Sequence, residues 1–135
     1  MKSRNLILSL SLAAGALSLG AQVANGAPSA DVVTKYDTDH DQTLDLNEVK
    51  TAAAARFDRL DKDADHTLDA QEAAGVVSTR GFRSADPDKD GTLSKDEYLA
   101  LVEKLFKQAD VDHDGTLSAE ELQSKSGRAL RRLID

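Results

Sequence analysis

DPDKDGTLSKDE, at residues 86–97, sets the architecture of this chain, because Asp occupies its first, third and fifth positions and Glu its twelfth. The same pattern occurs at residues 37–48 (DTDHDQTLDLNE), 61–72 (DKDADHTLDAQE) and 110–121 (DVDHDGTLSAEE). In chain order these windows are loops one to four, and their first residues lie 24, 25 and 24 positions apart. A lone acidic run is usually a solvated surface, whereas four runs in one register predict a repeated binding site.

Alternating carboxylates in a short loop suit a hard divalent cation. Calcium takes six to eight oxygen ligands at about 2.3–2.6 Å. A twelve-residue loop supplies them from side chains at positions 1, 3 and 5, the carbonyl at position 7, position 9 directly or through water, and both oxygens of a Glu at position 12. The candidate ligands are Asp37, Asp39, Asp41, Thr43, Asp45, Glu48, Asp61, Asp63, Asp65, Thr67, Asp69, Glu72, Asp86, Asp88, Asp90, Thr92, Ser94, Glu97, Asp110, Asp112, Asp114, Thr116, Ser118 and Glu121.

Position 6 of such a loop needs a backbone turn with positive φ, which favours Gly. Loops three and four have Gly there, whereas loops one and two have Gln42 and His66. A side chain in the left-handed region costs about 1–2 kcal/mol, equivalent to a roughly three- to thirty-fold loss of affinity. Asp45 and Asp69, at position 9 where the other loops have Ser, add a fifth acidic group that offsets part of this loss. We expect up to four calcium ions, with loops three and four binding most tightly.

The segments between the loops predict helices of different quality. In Tyr98–Ala109 and in Val49–Leu60, apolar residues recur at the spacing of one helical face, with Arg56 as the one departure. The middle segment, residues 73–85, is one residue longer and contains two glycines, each costing about 1 kcal/mol relative to Ala in a helix interior. We therefore predict a kink or break between Gly75 and Gly81, against the alternative of a weak but continuous helix.

The chain resembles the EF-hand superfamily, to which calmodulin belongs, over almost all of its length beyond the first residues. Besides the ligands, the resemblance includes an apolar residue at position 8 of every loop: Leu44, Leu68, Leu93 and Leu117. It also includes one apolar residue located four positions before the start of each loop: Val33, Phe57, Phe82 and Phe106. It implies an all-α fold of helix–loop–helix repeats and calcium binding by the ligands above. It also implies loop pairing through short β-bridges at position 8 and core packing of the residues before each loop.

The connectors between the loops are shorter than those of calmodulin. In this the chain resembles a bacterial-type EF-hand protein with four loops and short connectors, and its first residues indicate that it is exported. Each connector spans only about 18 Å as one helix and is expected to be shared by the loops on either side. Pairing of loops one with three and two with four, or between subunits, is then compatible with the sequence. The break in the middle connector divides the chain into two predicted units, residues 27–79 with loops one and two and residues 80–135 with loops three and four.

The first residues predict a signal peptide. Lys2 and Arg4 precede an apolar run from Leu6 to Leu19, which is shorter than the ~20 residues that span a bilayer. Cleavage of residues 1–26 is expected to leave a periplasmic or secreted chain without a membrane span. Its net charge changes from −7 to about −9, which disfavours nucleic acid as a partner. The chain has no Cys, so a bound metal is the candidate for stabilising a small exported domain.

Two functions fit these features. The first is an exported calcium buffer or metal-stabilised accessory protein; the alternative is a calcium sensor that exposes an apolar groove to a protein partner. The sole Met is Met1, which disfavours a promiscuous groove of the calmodulin kind. No Ser or Cys stands in a recognisable nucleophile arrangement, so we do not expect an enzyme. The three His residues occupy non-ligand positions and give no reason to favour a transition metal.

The tail from residue 124 has two interpretations. Arginines at positions 128, 131 and 132 lie beside Leu130, Leu133 and Ile134. This pattern favours a last exit helix with a solvated basic face over an amphipathic partner-binding segment.

Overall fold

The structure, a computed structural model, describes residues 28–135; the predicted signal peptide lies outside the described residues. Residues 28–135 form five α-helices, four two-residue strands and one 3₁₀ helix, so that the all-α prediction is confirmed. Among these helices, none combines the length and the apolar character needed to cross a bilayer. The elements are α1 (Pro28–Tyr36), β1 (Leu44–Asp45), α2 (Leu46–Leu60), β2 (Thr67–Leu68), α3 (Thr79–Ala85), β3 (Leu93–Ser94), α4 (Lys95–Ala109), β4 (Thr116–Leu117), the 3₁₀ helix (Glu121–Gln123) and α5 (Lys125–Ile134).

Helices α2 and α4 are each shared by two loops, as the short connectors predicted. Helix α2 begins in the last residues of loop one and ends where loop two starts, and α4 relates loops three and four in the same way. Each begins with a capping box, in which the position-9 side chain accepts from the backbone N–H of the position-12 Glu and the Glu carboxylate accepts from the position-9 N–H. The end of the loop is therefore also the first turn of the helix, which fixes the orientation of the Glu.

The middle connector breaks between its glycines, as predicted. After loop two the chain makes turns, with Gly75 at φ +81, and helix structure resumes only at Thr79. Ser78 caps the short α3 by accepting a hydrogen bond from the Gly81 N–H at 3.0 Å. Loop two consequently has no α-helix directly after it, whereas the other three loops lead directly into α2, α4 or the 3₁₀–α5 tail. The expectation that each connector is one helix shared by two loops is therefore wrong for the middle connector.

The loops pair as one with four and two with three. Strand β1 lies antiparallel to β4 with Leu44 opposite Leu117, and β2 lies antiparallel to β3 with Leu68 opposite Leu93. The pairing of loops one with three and two with four, compatible with the sequence, is therefore wrong. Both pairs join residues on opposite sides of the predicted boundary at 79/80.

The broken connector is the physical reason for this pairing. A continuous 13-residue helix would hold loops two and three about 20 Å apart. Because the chain instead turns at Gly75 and restarts at Ser78, loop three returns beside loop two, and α4 contacts α2 in the antiparallel sense that the two loop pairs require.

The core lies between the two loop pairs and the tail. All four position-8 leucines are fully buried. The rings of Phe57 and Tyr98 meet edge to face with centroids 5.5 Å apart. The Tyr98 hydroxyl donates to the Leu133 carbonyl at 2.8 Å, and Leu130 and Ile134 are buried beside it. The tail is thus a terminal helix whose apolar face packs into the core.

Candidate metal sites

Each loop brings three carboxylates together. The residues at positions 1, 3 and 12 each place one oxygen so that the three oxygens lie within 4.8 Å of one another. The four clusters are Asp37, Asp39 and Glu48; Asp61, Asp63 and Glu72; Asp86, Asp88 and Glu97; and Asp110, Asp112 and Glu121. Three negative groups at this separation repel one another unless a cation lies between them.

The backbone of each loop curls around its first Asp. At position 6, Gln42 and His66 adopt φ of +71 and +69, close to the +87 and +89 of Gly91 and Gly115. The N–H at this position donates to Oδ2 of the first Asp in all four loops, at 2.9, 3.1, 3.2 and 3.2 Å in chain order. Loops one and two therefore make the same turn as loops three and four, with a side chain in the left-handed region.

A second left-handed residue in each loop was missed by the sequence reasoning. Position 4 has φ between +60 and +63 in His40, Ala64, Lys89 and His113. Glycine would have signalled such a turn, but none of these residues is Gly, so a single sequence contained no local sign of it. Two left-handed residues per loop aim successive backbone amides and carboxylates at one centre.

Three of the first Asp residues have a buried oxygen without a hydrogen-bond partner in the described structure. These atoms are Oδ1 of Asp61, Asp86 and Asp110. A buried carboxylate oxygen without a partner is costly, and a bound cation would satisfy it. Loop one differs, because Oδ1 of Asp37 accepts from the His40 N–H at 2.7 Å. The donor set of loops two to four thus fits a hard cation, and that of loop one fits it with one oxygen already engaged.

The position-12 Glu is held at two points. One oxygen accepts from the position-9 N–H, as in the Asp45–Glu48 pair at 3.0 Å. The other accepts from the N–H at position 2, at 2.9 Å from Lys62 and 3.0 Å from Val111. In loop one Thr38 donates to Glu48 with both its N–H and its hydroxyl, at 2.6 and 2.8 Å. Loop three has Pro87 at position 2, which has no N–H to donate.

Positions 5, 7 and 9 are engaged within the loop. The position-5 Asp accepts from both the N–H and the hydroxyl of the position-7 Thr, as Asp41 does from Thr43 at 2.8 and 2.7 Å. Thr67, Thr92 and Thr116 make the same two contacts. Position 9 caps the turn that follows, through Asp45, Asp69, Ser94 and Ser118. The structure therefore brings positions 1, 3 and 12 together, while ligation by positions 5, 7 and 9 remains a prediction.

Crowding of the carboxylates is visible in the acidity of loop one. Desolvation raises the pKa of the Asp39 carboxyl, and the negative charges of Asp41 and Glu48 raise it further, against one hydrogen bond from the Asp41 amide that lowers it. Desolvation also raises the pKa of Asp37 and of Glu48, but hydrogen bonds from backbone amides outweigh it and lower both pKa values. Positive charge beside Asp39 would favour the ionised form of its carboxyl.

Comparison with protein families gives a match in the second half of the chain. The family model described as EF hand matches residues 80–102 and 101–124. The first segment contains loop three with most of α3, and the second contains loop four with the last part of α4. No curated protein matches the chain.

Proposed function

We infer that this chain, which is an EF-hand protein by its matched segments and its four acidic clusters, holds calcium in all four loops and serves as an exported buffer or metal-stabilised accessory protein. The EF-hand family is in general a family of calcium-binding proteins rather than of enzymes, which supports a binding role. The observation with most weight is the buried, partnerless Oδ1 of the first Asp in loops two, three and four.

The residues of each loop have separate roles in the proposed site. The first Asp is anchored through Oδ2 by the position-6 amide, which leaves Oδ1 directed inward in three loops. The position-12 Glu is anchored by the capping box, so that its carboxylate need not be ordered when it binds. A calcium ion would supply the positive charge that offsets the mutual repulsion of the carboxylates. Oxygen-only donors of this kind favour calcium or magnesium over softer metals.

Loop one is proposed to be the weakest site. Oδ1 of Asp37 already accepts a hydrogen bond from the His40 N–H, and Glu48 accepts two hydrogen bonds from Thr38. These carboxylate oxygens would have to share or give up those hydrogen bonds to bind calcium. Gln42 adds the cost of a side chain at φ +71. Loops three and four have Gly at this point and remain the expected tight sites.

Loading is proposed to stabilise the fold. The net charge is −7, the chain has no Cys, and 12 carboxylates lie in the four tight clusters. Each site filled at a free calcium concentration one hundred times its Kd adds about 2.7 kcal/mol to the free energy of unfolding. The mutual repulsion of these carboxylates in calcium-free protein then predicts a gain of helix and of melting temperature with calcium.

Calorimetric titration of the protein with calcium tests this proposal directly. We expect binding in all four loops, with the Glu121→Gln variant losing one tight site and Glu48→Gln losing the weakest. A control substitution, Glu120→Gln, changes a neighbouring exposed carboxylate outside the clusters and is expected to leave the titration unchanged. Absence of heat and of any bound calcium at millimolar concentration would end the proposal.

The alternative, a calcium sensor, predicts the opposite response of the apolar surface. A dye that fluoresces on apolar protein surface should bind more strongly with calcium if the chain is a sensor, and less strongly if calcium completes folding. We expect the decrease, together with increased helix content measured by circular dichroism.

Export is the part of the proposal that depends on residues 1–26 alone. Their charged start, apolar run and small residues are typical of a secretory signal. Expression of the whole chain in a bacterial host, followed by fractionation and N-terminal sequencing, is expected to give a shortened periplasmic or secreted product. An uncleaved product in the cytosol would contradict it.

A further inference from the structure

The missing exit helix of loop two leaves an open groove. Its volume is ≈ 730 Å³, and it runs along the turn segment after loop two to α3 and to Arg132 of α5. A narrower recess of ≈ 80 Å³ continues from it between α4 and α5, toward Leu101, Leu105 and Leu133. The two share Val76 and Val77, so they form one continuous surface, which we call the loop-two groove.

Comparison of equivalent residues in the repeats shows that the apolar surface of the groove is less buried than its counterparts. Phe57, Phe82 and Phe106 occupy the same position, four residues before a loop. Phe57 is 1% and Phe106 4% exposed, whereas Phe82 is only partly buried and lines the groove. The aromatic ring is therefore buried where it lies in one of the 15-residue helices, α2 or α4. It is left accessible where it lies in the short α3, which is preceded by turns instead of an exit helix of loop two.

The charge around the groove identifies the kind of occupant. Two arginines line it, Arg83 from α3 and Arg132 from α5, and both are exposed. Neither forms an ion pair within residues 28–135, and no Asp or Glu is among the lining residues of that range. In a chain of net charge −7, these two arginines thus place positive charge beside an accessible apolar surface.

We propose that the loop-two groove binds an acidic peptide segment of a partner protein, with an apolar side chain in the recess and carboxylates on Arg83 and Arg132. Arginine presents a planar fork that matches a carboxylate with two hydrogen bonds, which favours such a partner over a basic one. A concave groove with a narrow recess suits an inserted side chain better than the flat surface of a bilayer.

A peptide-library selection on the full chain tests this proposal. Random peptides displayed on phage are selected on the immobilised protein, and the enriched sequence is synthesised with a fluorescein label. We expect apolar residues flanked by Asp or Glu. Affinity is then measured by fluorescence anisotropy in calcium and in chelator, so that failure of the calcium sites and failure of the groove are seen separately.

Charge-reversal variants locate the binding surface. The double variant Arg83→Glu/Arg132→Glu is expected to weaken binding by about tenfold or more, because both carboxylate contacts become repulsive. Its control, Arg59→Glu/Lys125→Glu, makes the same change in net charge at two exposed residues outside the groove and is expected to bind within about twofold of the parent chain. Circular dichroism of each variant checks that the fold is retained.

Several outcomes would overturn the proposal. They are enrichment of basic peptides, failure to enrich any sequence, or equal weakening by the two double variants. Binding of the chain to vesicles with phosphatidylglycerol but to no peptide would assign the surface to a membrane instead. Self-association in sedimentation that Arg83→Glu/Arg132→Glu abolishes would assign it to a second copy of the chain.

Discussion

Truncation of Leu93 to Ala is expected to reduce the free energy of unfolding by about 3–4 kcal/mol. Leu93 is fully buried on β3, opposite the equally buried Leu68 on β2. Removal of buried methyl groups from Leu costs about 2–5 kcal/mol, and the cost is higher where neighbours cannot collapse into the cavity. The β2–β3 pairing and helix α4, which starts directly after β3, restrict such collapse, which places Leu93 in the upper part of this range.

The same substitution is expected to weaken calcium binding in loops two and three more than in loops one and four. Leu93 joins loop three to loop two through the β2–β3 pair, whereas loop four is a full helix away along α4. Leu117→Ala is the matched counterpart, because Leu117 is equally buried and joins loops one and four. The two variants should therefore show reciprocal patterns.

Urea denaturation with saturating calcium, followed by circular dichroism, measures the stability change. The position-6 amides of the four loops, followed by NMR during calcium titration, report the filling of each loop separately. Val111→Ala serves as control, since Val111 is 70% exposed and its truncation should change stability by less than about 0.5 kcal/mol. A loss below about 1 kcal/mol for Leu93→Ala, or equal weakening of all four loops, would refute the reasoning.

Three further predictions concern backbone strain, charge and a buried hydroxyl. His66→Gly should raise the free energy of unfolding by up to about 1 kcal/mol and increase the calcium affinity of loop two. His66 has φ +69, so Gly removes a conformational cost of about 1–2 kcal/mol, part of which is offset by the greater entropy of Gly in the unfolded chain. Thermal unfolding and calorimetry would show lower stability and affinity instead if the turn were unstrained. Hydrogen bonds from Lys107 and Lys50 lower the pKa of Glu103 from 4.5 to about 2, so the stabilising effect of its carboxylate is present above pH 4.5 and is lost as the pH falls toward 2. Glu103→Gln should therefore make stability less dependent on pH over that interval in acid unfolding in calcium-free buffer. A titration midpoint of the Glu103 carboxyl near 4.5, measured by NMR, would contradict this. Tyr98→Phe should cost about 0.5–1.5 kcal/mol by leaving the Leu133 carbonyl without its hydroxyl donor, with calcium titration unchanged; a neutral result in urea denaturation would mean that the bond contributes nothing.

The loops could be predicted from the sequence because their chemistry is local. Ligand positions, the turn at position 6 and the capping of the following helix all involve residues within twelve positions of one another. Helices α2 and α4 were predicted for the same reason, since an apolar face repeats along 12 consecutive residues. The break at Gly75 could also be predicted from the sequence, because a Gly in a helical segment signals a local interruption. The positive φ at position 4 was equally local but had no residue signal, and so it was missed.

Only the tertiary structure decided how these units meet. The pairing of loop one with four and two with three depends on the direction in which the chain leaves the broken connector, and no residue in the loops encodes that direction. The engaged oxygen of Asp37 and the partnerless ones of Asp61, Asp86 and Asp110 differ within one sequence pattern. The accessible face of Phe82 likewise follows from a helix that is absent, not from the residue itself. Contacts between distant segments are set by which apolar faces can be covered at once, a property of the whole chain rather than of any window of it.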